Sequence, residues 1–553
     1  MRPIFGWRFA GRPLQRLASI AAMGFLVGSA AWPQETEPEE EPPPKLSKFE
    51  MKLGYRYWAL RGNEHKYRQY ATPVEGLYFD RVEFAPFWGE SGENGSFLFR
   101  GSIDEDYVGS TRVTLFNGSS TLGANFQFHR FFDATPTVIE SSSRNVREAY
   151  LHQELGAKVG ITASTRTDFE RKNFEAPQDP LHQRTTTNEV ALKGEVLGGF
   201  ASASYTQWRY WDRLEALPDV DVRQWQGAYT RDLSPNLIFD GAVGRTEIRQ
   251  QGGARADVEN WSLAGQWSLS DTTRLGFGFR RQTHDLPQVQ STFVRERNES
   301  FARLDTRIGA WKISAAYRRV ESERVRDDHS FVDVPIWNTV DARISGRICD
   351  GWRLSLRGQR QSLQGRPAMT TSDPRSLYFD DRTLLQAKID GGSETLFGYA
   401  AWTRRENELD ARSVNVQSDQ LSFGATWLYG DRLEVFGEHN LEVQRARSEV
   451  AGPDALGLFF PDSRATTFGV NWIVDDQTNL SASYTFLATD NDNPLSLRDG
   501  NYVGDYLSLS LLRRMPNGDE FGLSFAPWRY SDKIVSQMAF DTLAVGLTYS
   551  RRF

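Results

Sequence analysis

The chain has 553 residues and a formal net charge of −7, and aromatic residues make up 13% of it, with 16 Trp, 19 Tyr and 35 Phe beside 46 Gly. This profile is typical of β-strands, tight turns and aromatic girdles, and the acidic balance excludes a nucleic-acid binder. The one cysteine, Cys349, excludes an internal disulfide framework and a metal site built from several thiolates of this chain.

The N-terminal segment predicts a secretory signal peptide over residues 1–31. Four arginines and no acid precede the apolar run 20–27, and small residues follow it up to Ala31. A membrane anchor is the alternative, but an apolar core of about a dozen residues falls short of the roughly 20 that a spanning helix needs. No later stretch reaches about 18 consecutive apolar residues, so we expect no spanning helix in the mature chain.

Residues 32–48 predict an acidic, proline-rich periplasmic linker. The run ETEPEEEPPP of residues 35–44 cannot bury apolar surface and should stay extended and solvated. We interpret it as a spacer between the cleavage site and the fold, with a docking arm for a basic periplasmic partner as the alternative.

From Phe49 onward, segments with apolar residues at every second position follow one another, as amphipathic strands require. Short turns alternate with polar loops of roughly ten to twenty residues, as in barrels with short periplasmic turns and long extracellular loops. The sequence therefore predicts an all-β, transmembrane antiparallel β-barrel of about 26 strands over residues 49–553. The predicted strands are 49–60, 77–87, one beginning at Phe97, 112–116, 122–128, 148–155, 159–167, 189–196, 200–208, 224–230, 237–246, 260–269, 274–281, 301–308, 312–319, 339–348, 352–359, 383–389, 396–402, 420–429, 432–441, 466–474, 479–486, 503–512, 520–528 and 541–553.

The strand faces favour a membrane barrel over a soluble β-sandwich. In the segment 274–281, for example, Leu275 and Phe277 alternate with Arg274 and glycines. Charged residues that face inward and apolar residues that face outward invert the core of a soluble protein. In water, so many strands of this kind would expose an extended apolar band. We therefore expect the bacterial outer membrane as the location and its lipid as a partner.

The same alternation predicts a basic inner wall. Arginines of four neighbouring strands should point into the lumen, where two aspartates offset only part of their charge. Because an unpaired charge is costly in a dry site, water or an anionic partner surface should face this wall. Arginines paired with acids of the loops are the alternative. The predicted lumen residues are Arg274, Arg280, Arg303, Asp305, Arg307, Asp341, Arg343, Arg347, Arg353 and Arg357.

The last strand, residues 541–553, carries apolar side chains from Leu543 to Tyr549 on one face and small or polar ones on the other. A chain that stops on Phe553 just past Tyr549 resembles the closing strand of bacterial outer-membrane barrels. The resemblance implies that Tyr549 and Phe553 form an assembly signal for the barrel-assembly machinery.

Catalytic and metal-binding patterns are missing from the sequence. Its seven histidines are scattered without metal-ligand spacing, and no Cys-x-x-Cys-His or Gly-x-Ser-x-Gly motif occurs. The run DNDNP, which starts at Asp490, is similar to a calcium loop, but Pro494 takes a ligand position and no distal Glu follows. We expect no catalytic residue, no metal and no cofactor bound by this chain, and no enzymatic activity.

The first predicted hairpin contains a set of aromatic, basic and glycine residues at characteristic spacing: Gly54, Tyr55, Gly62, Asn63, Lys66, Tyr67, Arg68, Tyr70 and Gly76. This set resembles the start of the MtrB/PioB family of decahaem-cytochrome-associated outer-membrane proteins. The resemblance implies a porin sheath that holds a multihaem c-type cytochrome across the outer membrane for extracellular electron transfer. The haem would belong to that partner, and an extracellular cytochrome is a second candidate partner. Some members carry Cys-x-x-Cys near the mature N-terminus, and this chain lacks that motif.

Strand number independently favours a partner in the lumen. Barrels of about 16 to 18 strands already enclose an aqueous channel, and barrels of about 22 strands hold a plug. A larger open barrel would leak, and the chain is too short to hold a separate plug domain, so the plug should come from another chain. A diffusion porin or a substrate-specific channel, gated by its own loops, is the alternative function.

Overall fold

The structure is a computed structural model. It describes residues 48–70, 75–86, 93–101, 106–115, 118–134, 139–155, 159–173, 181–214, 217–253, 255–285, 294–325, 331–333, 336–364, 381–409, 414–448, 462–490, 501–533 and 535–552. The predicted signal peptide, the predicted linker up to residue 47, and Phe553 lie outside the described residues.

Twenty-six antiparallel strands form one closed barrel, as the alternating sequence pattern predicted. The first strand, β1 (Lys48–Gly62), pairs with the last, β27 (Phe540–Arg552), and this pairing closes the cylinder. The register of the seam runs from Glu50 opposite Arg552 to Gly62 opposite Phe540. Closure gives the backbone donors and acceptors at the seam their partners, which the absence of water inside a bilayer demands.

The other strands follow in chain order, each paired with its neighbours. The first group is β2 (Gly76–Ala85), β3 (Asn94–Gly101), β4 (Tyr107–Leu115), β5 (Ser120–Ala134), β6 (Ile139–Glu154), β7 (Val159–Asn173), β8 (Leu181–Val196), β9 (Gly199–Asp212), β10 (Val220–Ser234), β11 (Leu237–Gln250), β12 (Arg255–Ser270), β13 (Thr273–Asp285), β14 (Val294–Ile308) and β15 (Trp311–Val325). The second group is β17 (Ile336–Cys349), β18 (Trp352–Gln364), β19 (Asp381–Gly392), β20 (Leu396–Leu409), β21 (Val414–Tyr429), β22 (Leu433–Ser448), β23 (Asp462–Asp475), β24 (Thr478–Asp490), β25 (Tyr502–Arg514) and β26 (Glu520–Asp532). A three-residue strand, β16 (Phe331–Asp333), pairs with the end of β15, while β17 pairs with β15 along the wall.

Short turns gather at the end of the barrel that also holds Lys48 and Arg552. Several of them contain only two residues, as between β14 and β15, where Gly309 adopts a φ of 59°. Hairpins this tight need the left-handed backbone region, which glycine enters without steric cost. Because short turns face the periplasm in outer-membrane barrels, this end is periplasmic and the longer connections are extracellular.

Most strands are longer than the sequence pattern predicted. Strand β12 is an example, since the pattern predicted residues 260–269 and the strand begins at Arg255. Its additional residues lie at the extracellular end, where the outer face carries Arg255, Asp257 and Glu259 in place of apolar side chains. Backbone pairing continues past the apolar band, whereas the apolar alternation that marks a strand in the sequence stops there.

One helix lies between the predicted strands 49–60 and 77–87, where the sequence pattern predicted a polar loop. This helix, α1 (Glu64–Tyr70), begins two residues after β1, and a 3₁₀ turn (Ser536–Met538) precedes β27. No helical period is visible in this stretch of the sequence, because seven residues are too few to establish one. Among the described residues, no helix is long and apolar enough to cross a membrane.

Candidate functional site on the inner wall

Helix α1 identifies the inner face of the barrel. It contacts both β5 and β27, and strands β1 to β4 separate these two in the closed sheet, so the helix lies inside the cylinder. Its Tyr67 ring stacks on Trp58 of β1 at a centroid distance of 5.3 Å and meets Phe540 of β27 at 5.4 Å. Trp58 and Phe540 therefore point into the lumen.

Cross-strand partners share one face of a sheet, so the inner face can be followed from pair to pair around the barrel. The opposite face carries apolar side chains that are strongly exposed, such as Leu547 at 56% and Val243 at 64%. These side chains form the lipid-facing band of an outer-membrane barrel.

The ten residues predicted to face the lumen all lie on the inner face of β13, β14, β17 and β18. The register sets Arg274 opposite Asp305, and it sets Arg343 opposite Arg357. We call the inner face of β13 to β18 the basic sector. Contact of this sector with a partner remains a prediction.

Strand β15 completes the basic sector, and its charged residues are absent from the set of lumen residues that the sequence predicted. Lys312 lies opposite Arg307, and Arg318 lies opposite Phe301, so both point inward between the predicted arginines. The alternation of residues 312–319 could have identified them, because that segment was itself a predicted strand. On β14, Glu299 also faces the lumen, opposite Arg280.

Three inner-wall carboxylates engage some of the arginines. Arg303 binds Asp305 through two hydrogen bonds, Nε to Oδ2 at 2.7 Å and NH2 to Oδ1 at 2.9 Å. Arg357 lies 2.8 Å from Asp341, and Arg318 lies 2.9 Å from Glu299. These partners belong to the barrel wall and not to the loops that we had considered as the alternative.

Six further cations of the basic sector form no ion pair among the described residues, because the nearby carboxylates are engaged elsewhere. The guanidinium of Arg307 donates to the Gly309 carbonyl at 3.3 Å, and that of Arg353 donates to the Ser345 hydroxyl at 3.3 Å. Asp390 lies opposite Arg353 but pairs with Lys388 at 3.4 Å. We call these six residues the cation row: Arg274, Arg307, Lys312, Arg343, Arg347 and Arg353.

The register also sets like charges directly opposite each other. Arg307 faces Lys312, Arg347 faces Arg353, and Arg343 faces Arg357. Like charges directly opposite each other destabilise a sheet, so these pairs are unfavourable in an empty barrel. Counter-ions, water or an anionic surface in the lumen would relieve the repulsion.

The inner face of β23 to β27 differs from the basic sector, and we call it the neutral sector. Small and uncharged side chains cover its middle, as in Ser481 and Ser483 of β24 or Ala544 and Thr548 of β27. Its charges lie at the strand ends and are paired, as in Arg514 with Glu520 at 2.9 Å. This sector presents backbone and short polar groups to the lumen.

Helix α1 fastens the extracellular end of the seam. The Asn63 backbone N–H donates to the Ala539 carbonyl at 2.9 Å, and Tyr67 is only 7% exposed. Around Tyr67 lie Trp58, Trp528 and Phe540, and burial raises the pKa of the Tyr67 phenol. Lys66 lies over the Tyr530 ring at 5.5 Å, so the helix is held on the neutral side of the mouth.

Among the described residues, α1 and the 3₁₀ turn are the only helical elements, and none of these residues forms a plug domain. The same residues contain no group of three or more His, Cys, Asp and Glu side chains that could hold a metal ion. Of the predicted assembly signal, Tyr549 lies on the outer face, and its hydroxyl donates to Asp519 at 2.9 Å.

Comparisons with known proteins give the fold. No protein-family model and no curated protein matches the chain. The chain is similar in structure to the FrpB iron transporter from Neisseria meningitidis (F3-3 variant), with a TM-score of 0.51 and 10% identity over 92% of this chain and 82% of that one. The siderophore receptor PirA from Acinetobacter baumannii has a TM-score of 0.50 and 6% identity, over 91% and 80%. PirA from Pseudomonas aeruginosa has a TM-score of 0.45 and 9% identity, over 92% and 81%. The likeness to FrpB and to PirA from Acinetobacter baumannii concerns the fold, which is that of a large outer-membrane β-barrel.

Proposed function

We propose that this barrel is a porin sheath that holds a multihaem c-type cytochrome across the outer membrane for extracellular electron transfer. The cation row supports this proposal, because its six cations face the lumen on adjacent strands and none forms an ion pair with a residue in the part of the chain that the structure describes. Haem propionates and acidic side chains of a cytochrome would supply the missing anions. The chain would then contribute no redox group, and the haem would belong to the partner.

The width of the barrel supports the proposal too. With strands about 4.8 Å apart and tilted by about 40°, a circular barrel of this strand number measures roughly 50 Å between opposite backbones. Among the described residues, α1 is the helix that lies inside that space. A folded domain of another chain would fit, and it would close a leak that the outer membrane could not tolerate.

The resemblance of the first hairpin to the MtrB/PioB family adds to the proposal. Asn63, Lys66 and Tyr67 belong to that set of residues, and they place α1 inside the mouth of the barrel. A surface presented there could meet a lumenal partner near its extracellular end, where an extracellular cytochrome would also dock.

A substrate-specific channel or diffusion porin is the second candidate. The neutral sector favours it, since short uncharged side chains leave a wide polar path along β23 to β27. The FrpB iron transporter has a barrel of similar fold. At 10% identity, this likeness concerns the fold alone.

Purification of the full chain from its native membrane in a mild detergent tests the proposal. A sheath should co-purify with a stoichiometric c-type cytochrome, seen by haem absorbance and by haem staining after denaturing electrophoresis. The purified complex should conduct little in a planar bilayer. A colourless barrel with a large, steady conductance would contradict the sheath and support the porin.

A further inference from the structure

The lipid-facing side of β8 to β11 contains an apolar groove of about 640 Å³. Two adjacent rows of outer-face residues form it. In one row, Leu192, Ala203, Gly227 and Val243 lie side by side, and the small Ala203 and Gly227 make a floor between larger neighbours. The aromatic pair Tyr205 and Trp225, with ring centroids 5.4 Å apart, bounds the groove on its extracellular side.

A cluster of arginines begins where the groove ends. Arg245 lines the groove itself and lies beside Trp225 in register. Beyond it, on the outer face of β9 to β12, lie further arginines, and we call the set the outer arginine cluster: Arg209, Arg223, Arg245, Arg249 and Arg255.

The carboxylates of the cluster lie beneath the arginines. Arg249 and Arg255 lie 3.2 Å and 3.8 Å from Glu247, and Arg255 lies 3.2 Å from Asp257. The side chains of Arg249 and Arg255 are about half exposed, whereas that of Glu247 is only 15% exposed. Around Arg249 and Arg255 the exposed surface is therefore made mainly of guanidinium groups, while Glu247 and Asp257 are recessed.

The charges of the cluster do not balance. Five arginines share the outer face with four acids, Asp221, Glu247, Asp257 and the exposed Glu259. Arg249 also lies directly opposite Arg255 across the β11–β12 pairing, and the single carboxylate of Glu247 contacts both of them. Each guanidinium has five N–H donors, so the ion pairs leave donors available for an external acceptor.

We propose that the groove and the outer arginine cluster together bind one phosphorylated glycolipid of the outer leaflet, of the lipopolysaccharide class. An acyl chain would lie in the groove over Gly227, and a headgroup phosphate would lie among Arg245, Arg249 and Arg255. Both parts are at the correct depth, because the apolar band ends at Trp225 and the charged belt above it faces the extracellular side. Arginine suits the headgroup because its planar fork binds phosphate through two parallel hydrogen bonds.

Binding of defined lipids to the delipidated, detergent-purified barrel tests this proposal by native mass spectrometry. The wild type should bind one bis-phosphorylated lipid A and discriminate against dephosphorylated lipid A by about tenfold or more, as a charge-assisted contact would. Phosphatidylglycerol should not displace lipid A at equal concentration. Equal binding of the dephosphorylated lipid, or ready displacement by phosphatidylglycerol, would overturn the proposal.

Two variants test the headgroup site, and we expect one to weaken lipid A binding and the other to strengthen it. The triple variant R245Q/R249Q/R255Q should reduce lipid A binding about tenfold. The variant E247Q removes a recessed negative charge and should strengthen binding. The variant R319Q/R360Q is the matched control, since Arg319 and Arg360 are outer-face arginines that pair with Glu321 and Asp381 elsewhere on the belt. Unchanged binding in the triple variant would contradict the proposal.

A variant that fills the groove tests the acyl-chain site without changing any ion pair of the outer arginine cluster. A Cβ at Gly227 would meet its nearest atom at 3.7 Å, so Gly227→Leu should fold and occupy the acyl position. Gly241→Leu is its control, because Gly241 is also lipid-facing, has contacts from 3.4 Å and lies outside the groove. We expect G227L, and not G241L, to lose lipid A, and equal retention by both variants would exclude the groove as the acyl site.

Discussion

The basic sector and the neutral sector are two parts of one wall with the same pairing and the same alternation of faces, yet they carry opposite kinds of inner side chain. In β17 and β18 the register sets Arg347 opposite Arg353, whereas in β24 and β25 it sets Ser483 opposite Ser508. The neutral sector therefore shows that strands of this wall pair without charges in the middle of their inner face. Because like charges in register weaken a sheet, the cation row lowers stability without being needed for the fold. A local feature that costs stability and is not needed for folding is best explained by function.

The largest expected effect follows from removing the cation row. The variant R307Q/R343Q/R347Q/R353Q should keep the barrel yield and leave thermal stability equal or slightly higher, since like-charge pairs are lost. The affinity for the cytochrome, and with it the recovery, should fall about a thousandfold if each of the four lost charge contacts contributes on the order of 1 kcal/mol, since 1.4 kcal/mol is tenfold in affinity. The measurement is haem absorbance per barrel, and recovery by the wild type should itself decrease as salt is raised.

The paired arginines provide the matched control for that experiment. Arg303 and Arg357 have the same chemistry and face the same lumen, but Asp305 and Asp341 already neutralise them. The variant R303Q/R357Q should lower cytochrome recovery much less than the fourfold variant. If both variants lose the partner equally, the missing ion-pair partners are not what distinguishes the cation row.

The second prediction concerns the end of the neutral sector, where α1 replaces charge with aromatic packing. Tyr67→Ala removes the ring that joins Trp58, Trp528 and Phe540, and it should cost about 2 to 4 kcal/mol of local stability. Hydrogen exchange should quicken in β1 and β27 and stay unchanged in β14 and β15. Tyr317→Ala is the control, since this outer-face ring is 42% exposed. Uniform quickening around the barrel would contradict a local fastening.

The smallest expected effect is on ion selectivity of the barrel freed of any partner. Cations that line one side of a wide lumen attract anions, so the permeability ratio should favour chloride over potassium by about twofold at low salt and approach unity as the Debye length shrinks. The fourfold arginine variant should show a ratio near one at every salt concentration. Reversal potentials in a salt gradient give the ratio. A preference for cations in the wild type would mean that acids such as Glu434 and Glu438 of β22 dominate the lumen.

The strand count, the sidedness of the barrel and the face of each candidate residue could be predicted from the sequence. A period of two specifies which side chains of a strand share a face, and this rule placed both Arg303 and Arg353 on the inner face of the wall. It overlooked Lys312 and Arg318 only because the prediction named four strands and omitted the intervening β15. The rule also ended β12 too early, since the outer face becomes charged at Glu259 although hydrogen bonding continues to Arg255.

By itself, the sequence determined the class of the fold. An outer apolar band and an inner polar wall require apolar and polar residues to alternate along each strand, and this alternation is visible in every strand without knowledge of its neighbours. Only the tertiary structure decided which charges are paired. The register sets Asp305 opposite Arg274, yet the Asp305 carboxylate binds Arg303 of its own strand. Helix α1 was likewise decided by long-range packing, since Tyr67 is buried by residues of β26 and β27 that lie more than 400 positions away in the chain. Neighbours so distant in sequence leave no local pattern, and the closure of the barrel brings them together.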